Sequence, residues 1–195
     1  MTDVGVVLYG PPGAGKDTVT AELSRARPEY RLFQRLKAGP GRTTGYRLTT
    51  IEHIEDLDRA GDLLYRNARY GAEYAIDRQG VSELVEQGLV PVLHMGQVAG
   101  ASAVTPYPIH WVKVLLWCPV DVTKTRCEGR GDKDLEARLE VWRETRQDLL
   151  DHAAEPWSVV IETHHHSPAE TARIISDAVD SKATAQERDI RGLVG

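Results

Sequence analysis

Apolar and polar positions fall into short blocks along this chain, and their spacing alternates between two periods. Val4 to Tyr9 is a β-branched apolar run ending at Gly10, and it predicts a central strand buried on both faces. Glycines and prolines follow, after which Thr18 to Arg27 puts Val19 and Leu23 on one helical face. Tyr30 to Leu36 reads as a second strand, and the Gly-, Thr- and Arg-rich residues 37–50 as a loop or small insert. Thr50 is placed to N-cap the helix that follows it, and Val81 to Gln87 is a further helix closed by Gly88. Leu89 to Met95 and Trp111 to Trp117 read as buried strands. Asp121 to Arg130 predicts a helix ending at Gly129 and Gly131. Asp134 to Ala153 predicts a longer one, with Leu135, Leu139, Trp142, Leu149 and Leu150 inward. Ser158 to Ile161 is a short strand, and Ser167-Pro168 opens a helix over Ala169 to Val179. Residues 181–195 are polar and end in glycine, which predicts a frayed helix or tail. Strands alternating with helices predict an α/β fold with a parallel sheet wound on both faces.

Composition narrows the class. The chain has 195 residues, 41% of them hydrophobic, which suits one folded domain without disulfide staples. With 24 Lys and Arg against 29 Asp and Glu, the net charge of −5 argues against a general nucleic-acid binder but allows a local basic site for a small anion. Cys118 and Cys127 are too few for a disulfide framework and predict reduced thiols in a cytoplasmic chain. The first residues lack the basic region of a signal peptide, and no run approaches the roughly 18 apolar residues of a membrane span.

The strongest chemical signal is Gly10-Pro-Pro-Gly-Ala-Gly-Lys-Asp-Thr18. It meets G-x-x-x-x-G-K at Gly10, Gly15 and Lys16, between a predicted strand and a predicted helix. Backbone N–H groups of Gly13, Ala14 and Gly15 and the helix N-terminus suit one phosphate chain, and Lys16 suits its β- and γ-phosphates. The residue after the lysine is usually Ser or Thr and binds Mg²⁺; here it is Asp17, followed by Thr18. Asp17 and Thr18 are therefore the candidate metal ligands. A carboxylate at Asp17 equally suits a base for a hydroxyl acceptor or a solvent-facing residue in the first helical turn.

Beyond this loop the chain, from about Val4 to Val179, resembles the guanylate kinase branch of the nucleoside monophosphate kinases. The resemblance rests on the P-loop, Tyr70-Gly71, and the segment Arg126-Cys-Glu-Gly-Arg-Gly131 followed by a helix carrying Arg138. It implies a three-layer P-loop fold with a five-stranded parallel sheet. One kinase domain would span 1–180, with its core at 1–36 and 76–180. An acceptor-binding insert would take about 37–75, a short lid about 126–138, and a tail 181–195. It implies ATP and Mg²⁺, and lid arginines Arg126, Arg130 and Arg138 around the transferred phosphoryl group. Arg35, Lys37, Arg42, Tyr46 and Tyr70 are expected around the acceptor phosphate, with Glu73, His94 and Gln97 near the rest of the acceptor. A small phosphorylated molecule would be the partner, not nucleic acid or membrane; a homodimer is left open.

The departures from that pattern matter too. Guanylate kinases read guanine with a glutamate before the Tyr-Gly pair and a hydroxyl residue after it. Tyr65 and Ala72 stand there in this chain, and neither accepts from guanine as a carboxylate does. His94 stands where the middle strand would end in aspartate. Lysine-aspartate in the P-loop with loss of that aspartate also resembles ribose 1,5-bisphosphate phosphokinase, whose acceptor carries no base. The expected activity is thus γ-phosphoryl transfer to a nucleoside monophosphate-like acceptor poorly matched to GMP. A sugar-phosphate acceptor, or its hydroxyl, is the alternative. A non-catalytic guanylate-kinase-like binding module is disfavoured because Lys16 and the lid arginines are kept. Glu73 and Asp77 read equally as acceptor contacts or as a solvated face. His164, His165 and His166 are expected to form a loop over the nucleotide or in solvent, because neighbours on a regular element cannot all face one metal.

Overall fold

In the computed structural model, which describes residues 3–69, 71–129, 131 and 134–195, strand β1 (Val4–Tyr9) lies at the centre of a parallel sheet and all six of its residues are buried. Its neighbours are β7 (Val90–Met95) and β8 (His110–Trp117), flanked by β2 (Tyr30–Leu32) and β9 (Val159–Glu162), in the order β2-β7-β1-β8-β9. The two-residue period sorts side chains into two cores. Val4, Val6 and Leu8 face α1 (Lys16–Ala26) and α7 (Pro168–Asp180). Val7 and Tyr9 face α3 (Arg78–Glu86), α4 (Val98–Ala103) and the C-terminal half of α6 (Leu135–Asp151). The α/β fold and the five-stranded parallel sheet are therefore as expected.

A second, four-stranded sheet occupies most of the predicted insert. Its strands are β3 (Leu36–Ala38), β4 (Arg47–Leu48), β5 (Leu63–Arg69) and β6 (Ala72–Asp77), in the order β4-β3-β6-β5. Helix α2 (Ile51–Ala60) covers it, with Ile54 packed on Leu36, Ala38 and Ala75, and the Thr50 side chain accepts from His53 N at 3.2 Å as a cap. The hairpin β5–β6 is absent from the sequence expectation. Its turn is two residues long, and Gly71 takes φ 71°, which glycine adopts freely.

Three further expectations change. The single strand over Tyr30 to Leu36 is two strands in different sheets. Phe33 buries into the main core, after which the chain leaves for the smaller sheet. Asp77 is a structural residue: its carboxylate caps Gly80 N at 2.9 Å and pairs with Arg47. The end of the chain is not frayed. Trp157 and Gln186 exchange backbone hydrogen bonds, and α8 (Ile190–Val194) buries Ile190 and Val194 in the core beside Trp157. Arg146 Nε then donates to Val194 O at 2.6 Å, which fixes the terminus on α6. α5 (Val120–Gly129) carries the first residues of the predicted lid segment.

Candidate active site

The loop after β1 has the backbone that phosphate binding needs. A Cβ at Gly10 would sit 2.1 Å from Leu116 O, so only glycine fits between the strands there. Gly13 and Gly15 take φ 76° and 92°, the left-handed region that side chains disfavour. α1 begins at Lys16, and Gly15 offers its first turn no side-chain cap, which leaves those N–H groups to an anion. Lys16 Nζ donates to Gly10 O and, at 3.0 Å, to Pro11 O. Burial, helped by the nearby Arg138 charge and opposed by Asp17, lowers the Lys16 amine to about 8.

That value sets a pH dependence. Below about 8 the amine is charged and attracts phosphate; above it the charge is lost. The Kd for ATP is therefore expected to rise by up to ~10-fold per pH unit above that point. Fluorescence titration of nucleotide binding from about pH 7 to about pH 9.5 measures it; a flat profile would remove Lys16 from the phosphate contact.

Two cavities meet at the loop. One of about 380 Å³ is lined by Gly13, Gly15, Thr18, Arg126, Thr163 and His166. The other, of about 570 Å³, runs from Gly10 and Lys16 to the small sheet and includes Arg35, Arg42, Tyr46, Arg69, Tyr74, His94 and Arg138. The Arg35 guanidinium lies 5.9 Å from the Tyr46 ring centre and 5.1 Å from that of Tyr74, while the two rings pair at 5.4 Å. This stacking holds the planar fork at the cavity wall. Arg69 reaches across to Glu144 and Tyr65 Oη donates to Gln97 Oε1 at 2.6 Å, so the hairpin is tied to α6 and to the start of α4. Below, Asp148 accepts from Tyr9 Oη at 2.7 Å and from Val98 N at 2.8 Å.

The expected residues divide accordingly. Lys16, Arg35, Arg42, Tyr46, His94 and Arg138 share the larger cavity, and Gly13, Ala14, Gly15 and Thr18 line the smaller one. Tyr70 and Arg130 lie outside the described residues. Lys37 is a correction: it is 1% exposed, and its amine donates to Gly39 O and Pro40 O beneath the loop. Glu73 is another, since it pairs with Arg66 on the small sheet at 2.6 Å. Gln97 lines a separate neighbouring cavity and is held by Tyr65. Arg126 braces the site: it donates to Gly13 O at 2.8 Å and to Thr163 Oγ1 and O at 3.0 and 2.9 Å. These contacts fix it in the wall of the smaller cavity. Arg69 and Tyr74 were missed. Their signal was the alternation Tyr65, Asn67, Arg69 and Ala72, Tyr74, Ile76 on either side of Tyr70-Gly71, which is one face of a hairpin.

Asp17 and Thr18 diverge, so they do not form one metal site. Thr18 lines the smaller cavity, whereas Asp17, 90% exposed, lies beside Arg35, Arg42 and Tyr46 on the other side. Asp17 Oδ1 is 3.5 Å from His94 Nδ1. Thr20 Oγ1 gives its proton to Lys16 O at 2.8 Å, so the His94 Nε2–H donates to Thr20 Oγ1, also at 2.8 Å. Burial, and then the Lys16 charge, push His94 well below its usual range and keep the ring neutral. Two acceptors, an imidazole lone pair and a carboxylate, therefore face each other. A cation or a hydrogen-bond donor fits between them. Asp17 thus offers an oxygen ligand suited to Mg²⁺ at the P-loop.

Fold and phosphate loop together define a P-loop kinase. The crystal structure of guanylate kinase from Anaplasma phagocytophilum has the same fold, with a TM-score of 0.64 at 18% identity over 99% of this chain and 94% of that one. No protein-family model matches the chain. Among curated proteins, the guanylate kinase of Salinibacter ruber is 32% identical over 154 residues, 75% of this chain and 77% of that protein. The guanylate kinase of Streptomyces coelicolor is 31% identical over 156 residues, 77% of each. With that of Thermosynechococcus vestitus the match is shorter, 30% over 104 residues, and spans 54% of that protein. The chain belongs to the guanylate kinase family. Among the described residues no helix is long and apolar enough to cross a membrane.

Proposed function

We propose that this chain transfers the γ-phosphoryl group of ATP to the phosphate of a small acceptor of nucleoside monophosphate type, and that guanine is not its preferred base. The observation that carries this is the larger cavity, lined by Lys16 and Arg138 and also by Arg35, Tyr46 and Tyr74. An acceptor phosphate held by Arg35 and the tyrosines faces the γ-phosphate held by Lys16. Arg138, with Arg130, neutralises charge on the transferring group. Bound Mg²⁺, held by Asp17, would neutralise the β- and γ-oxygens. An ionised phosphate acceptor needs no general base.

The base preference rests on the hairpin. Tyr65 is committed to Gln97 and Ala72 is buried against Gly39, so neither position offers guanine a carboxylate or a hydroxyl. Asn67, on the wall of the neighbouring cavity, instead has an Oδ1 that is buried without a partner among the described residues, and a donor on the acceptor reaching it would satisfy it. The facing Asp17 and His94 favour a second reading, a sugar phosphate phosphorylated on a hydroxyl that donates to Asp17. An ATP-consumption assay across nucleoside monophosphates and sugar phosphates separates the two. GMP is expected to fall about 10²-fold below the best acceptor in kcat/KM, the size of a lost charged hydrogen bond. Efficient GMP phosphorylation would overturn the base preference, and a product carrying a new phosphate ester on a sugar hydroxyl, in place of a phosphoanhydride, would favour the second reading.

A further inference from the structure

A second group of ligating side chains lies in the turn between β9 and α7, outside the phosphate site. His165 N donates to Glu162 O at 3.0 Å and closes a four-residue turn. The turn abolishes the strand alternation that would separate neighbouring histidines. One ligand atom from each of Glu162, His164 and His165 lies within 4.8 Å of the others. The two imidazole rings are 3.8 Å apart, and His164 Nε2 is 3.9 Å from Glu162 Oε2. His164 Nδ1 is buried with no hydrogen-bond partner among the described residues, so the ring is held by packing and its polar needs are unmet.

We propose that Glu162, His164 and His165 bind a divalent transition-metal ion of the zinc class. Two imidazole nitrogens and one carboxylate oxygen suit Zn²⁺, Co²⁺ or Ni²⁺, whereas Mg²⁺ requires oxygen ligands in octahedral geometry. Ligands on a tetrahedral ion with bonds of about 2.0–2.2 Å sit about 3.4 Å apart, so side-chain rotation of about an ångström closes the set. Glu162 supplies the negative charge that a cation needs beside the positive N-terminus of α7. The ion would also stiffen a wall of the smaller cavity. Thr163, between the ligands, accepts from Arg126, and His166 and Thr163 both line that cavity.

The test is titration of the untagged full chain with Co²⁺, followed by ligand-field absorption, and with Zn²⁺ by calorimetry, both in excess Mg²⁺. One ion per chain is expected to bind. Glu162→Gln and His165→Ala, both at exposed positions, are each expected to weaken binding by at least ~10-fold, and His164→Ala with His165→Ala by ~10²-fold or more. Zn²⁺ is also expected to raise the Tm of the unaltered chain but not that of Glu162→Gln, a readout that holds even if the double variant fails to fold. His53→Ala, at an exposed position on α2, should leave Co²⁺ binding unchanged. Absence of one-to-one binding, binding that survives Glu162→Gln and His165→Ala at full strength, or loss of binding in His53→Ala would each overturn the site.

Discussion

Lys16→Ala is expected to lower kcat by at least ~10²–10³-fold, the loss typical of one preorganised charge removed from the transferring group. The amine is partly buried at the mouth of the P-loop and rests on Gly10 O and Pro11 O, the atoms from which a phosphate would draw it. Its charge is unfavourable there, as the lowered value of about 8 records, so the folded protein without nucleotide does not depend on it. Urea unfolding should therefore change little while turnover collapses. The pairing of those two measurements is what identifies Lys16 as a catalytic group in place of a packing one. Near-normal turnover would sink the assignment of this loop as the site of transfer.

Arg35→Ala is the second large effect, and it should appear in a different constant. The guanidinium lies against the rings of Tyr46 and Tyr74 in the lining of the larger cavity. Losing a charged, two-pronged contact to the acceptor phosphate is expected to raise the acceptor KM by about 10²-fold, with a much smaller change in the KM for ATP. Arg35→Lys should recover little of this, because an ammonium neither stacks between the two rings nor offers a planar fork. Steady-state kinetics with each substrate varied in turn separates the two constants. An equal rise in both, or full rescue by lysine, would move the acceptor phosphate elsewhere.

Much of the nucleotide side was legible in the chain, because it is local. A glycine loop between a strand and a helix is one contiguous segment, and its three glycines answer to one backbone path. The small sheet was legible only in part. Residues 35–50 carry the right groups, Arg35, Arg42 and Tyr46, but Lys37 among them turns inward to hold the loop carbonyls. Nothing in its spacing separates a buried lysine from a cavity lysine. Thr18 and Asp17 adjoin in sequence, yet the first turn of α1 points them into different cavities.

What the sequence determined by itself is the class: the P-loop, the strand–helix alternation and the buried five-stranded sheet follow from residues near one another along the chain. Tertiary structure alone decided which of the charged side chains share a cavity. Arg69 and Tyr74 reach it because a hairpin folds one face toward α4 and α6. Arg126 is held against the P-loop because Gly13 and Thr163 accept from it. The histidines of the β9–α7 turn converge because a turn, unlike a strand, lets neighbours face the same way. Those outcomes depend on contacts between residues far apart in sequence, and only packing fixes which partner each long side chain finds.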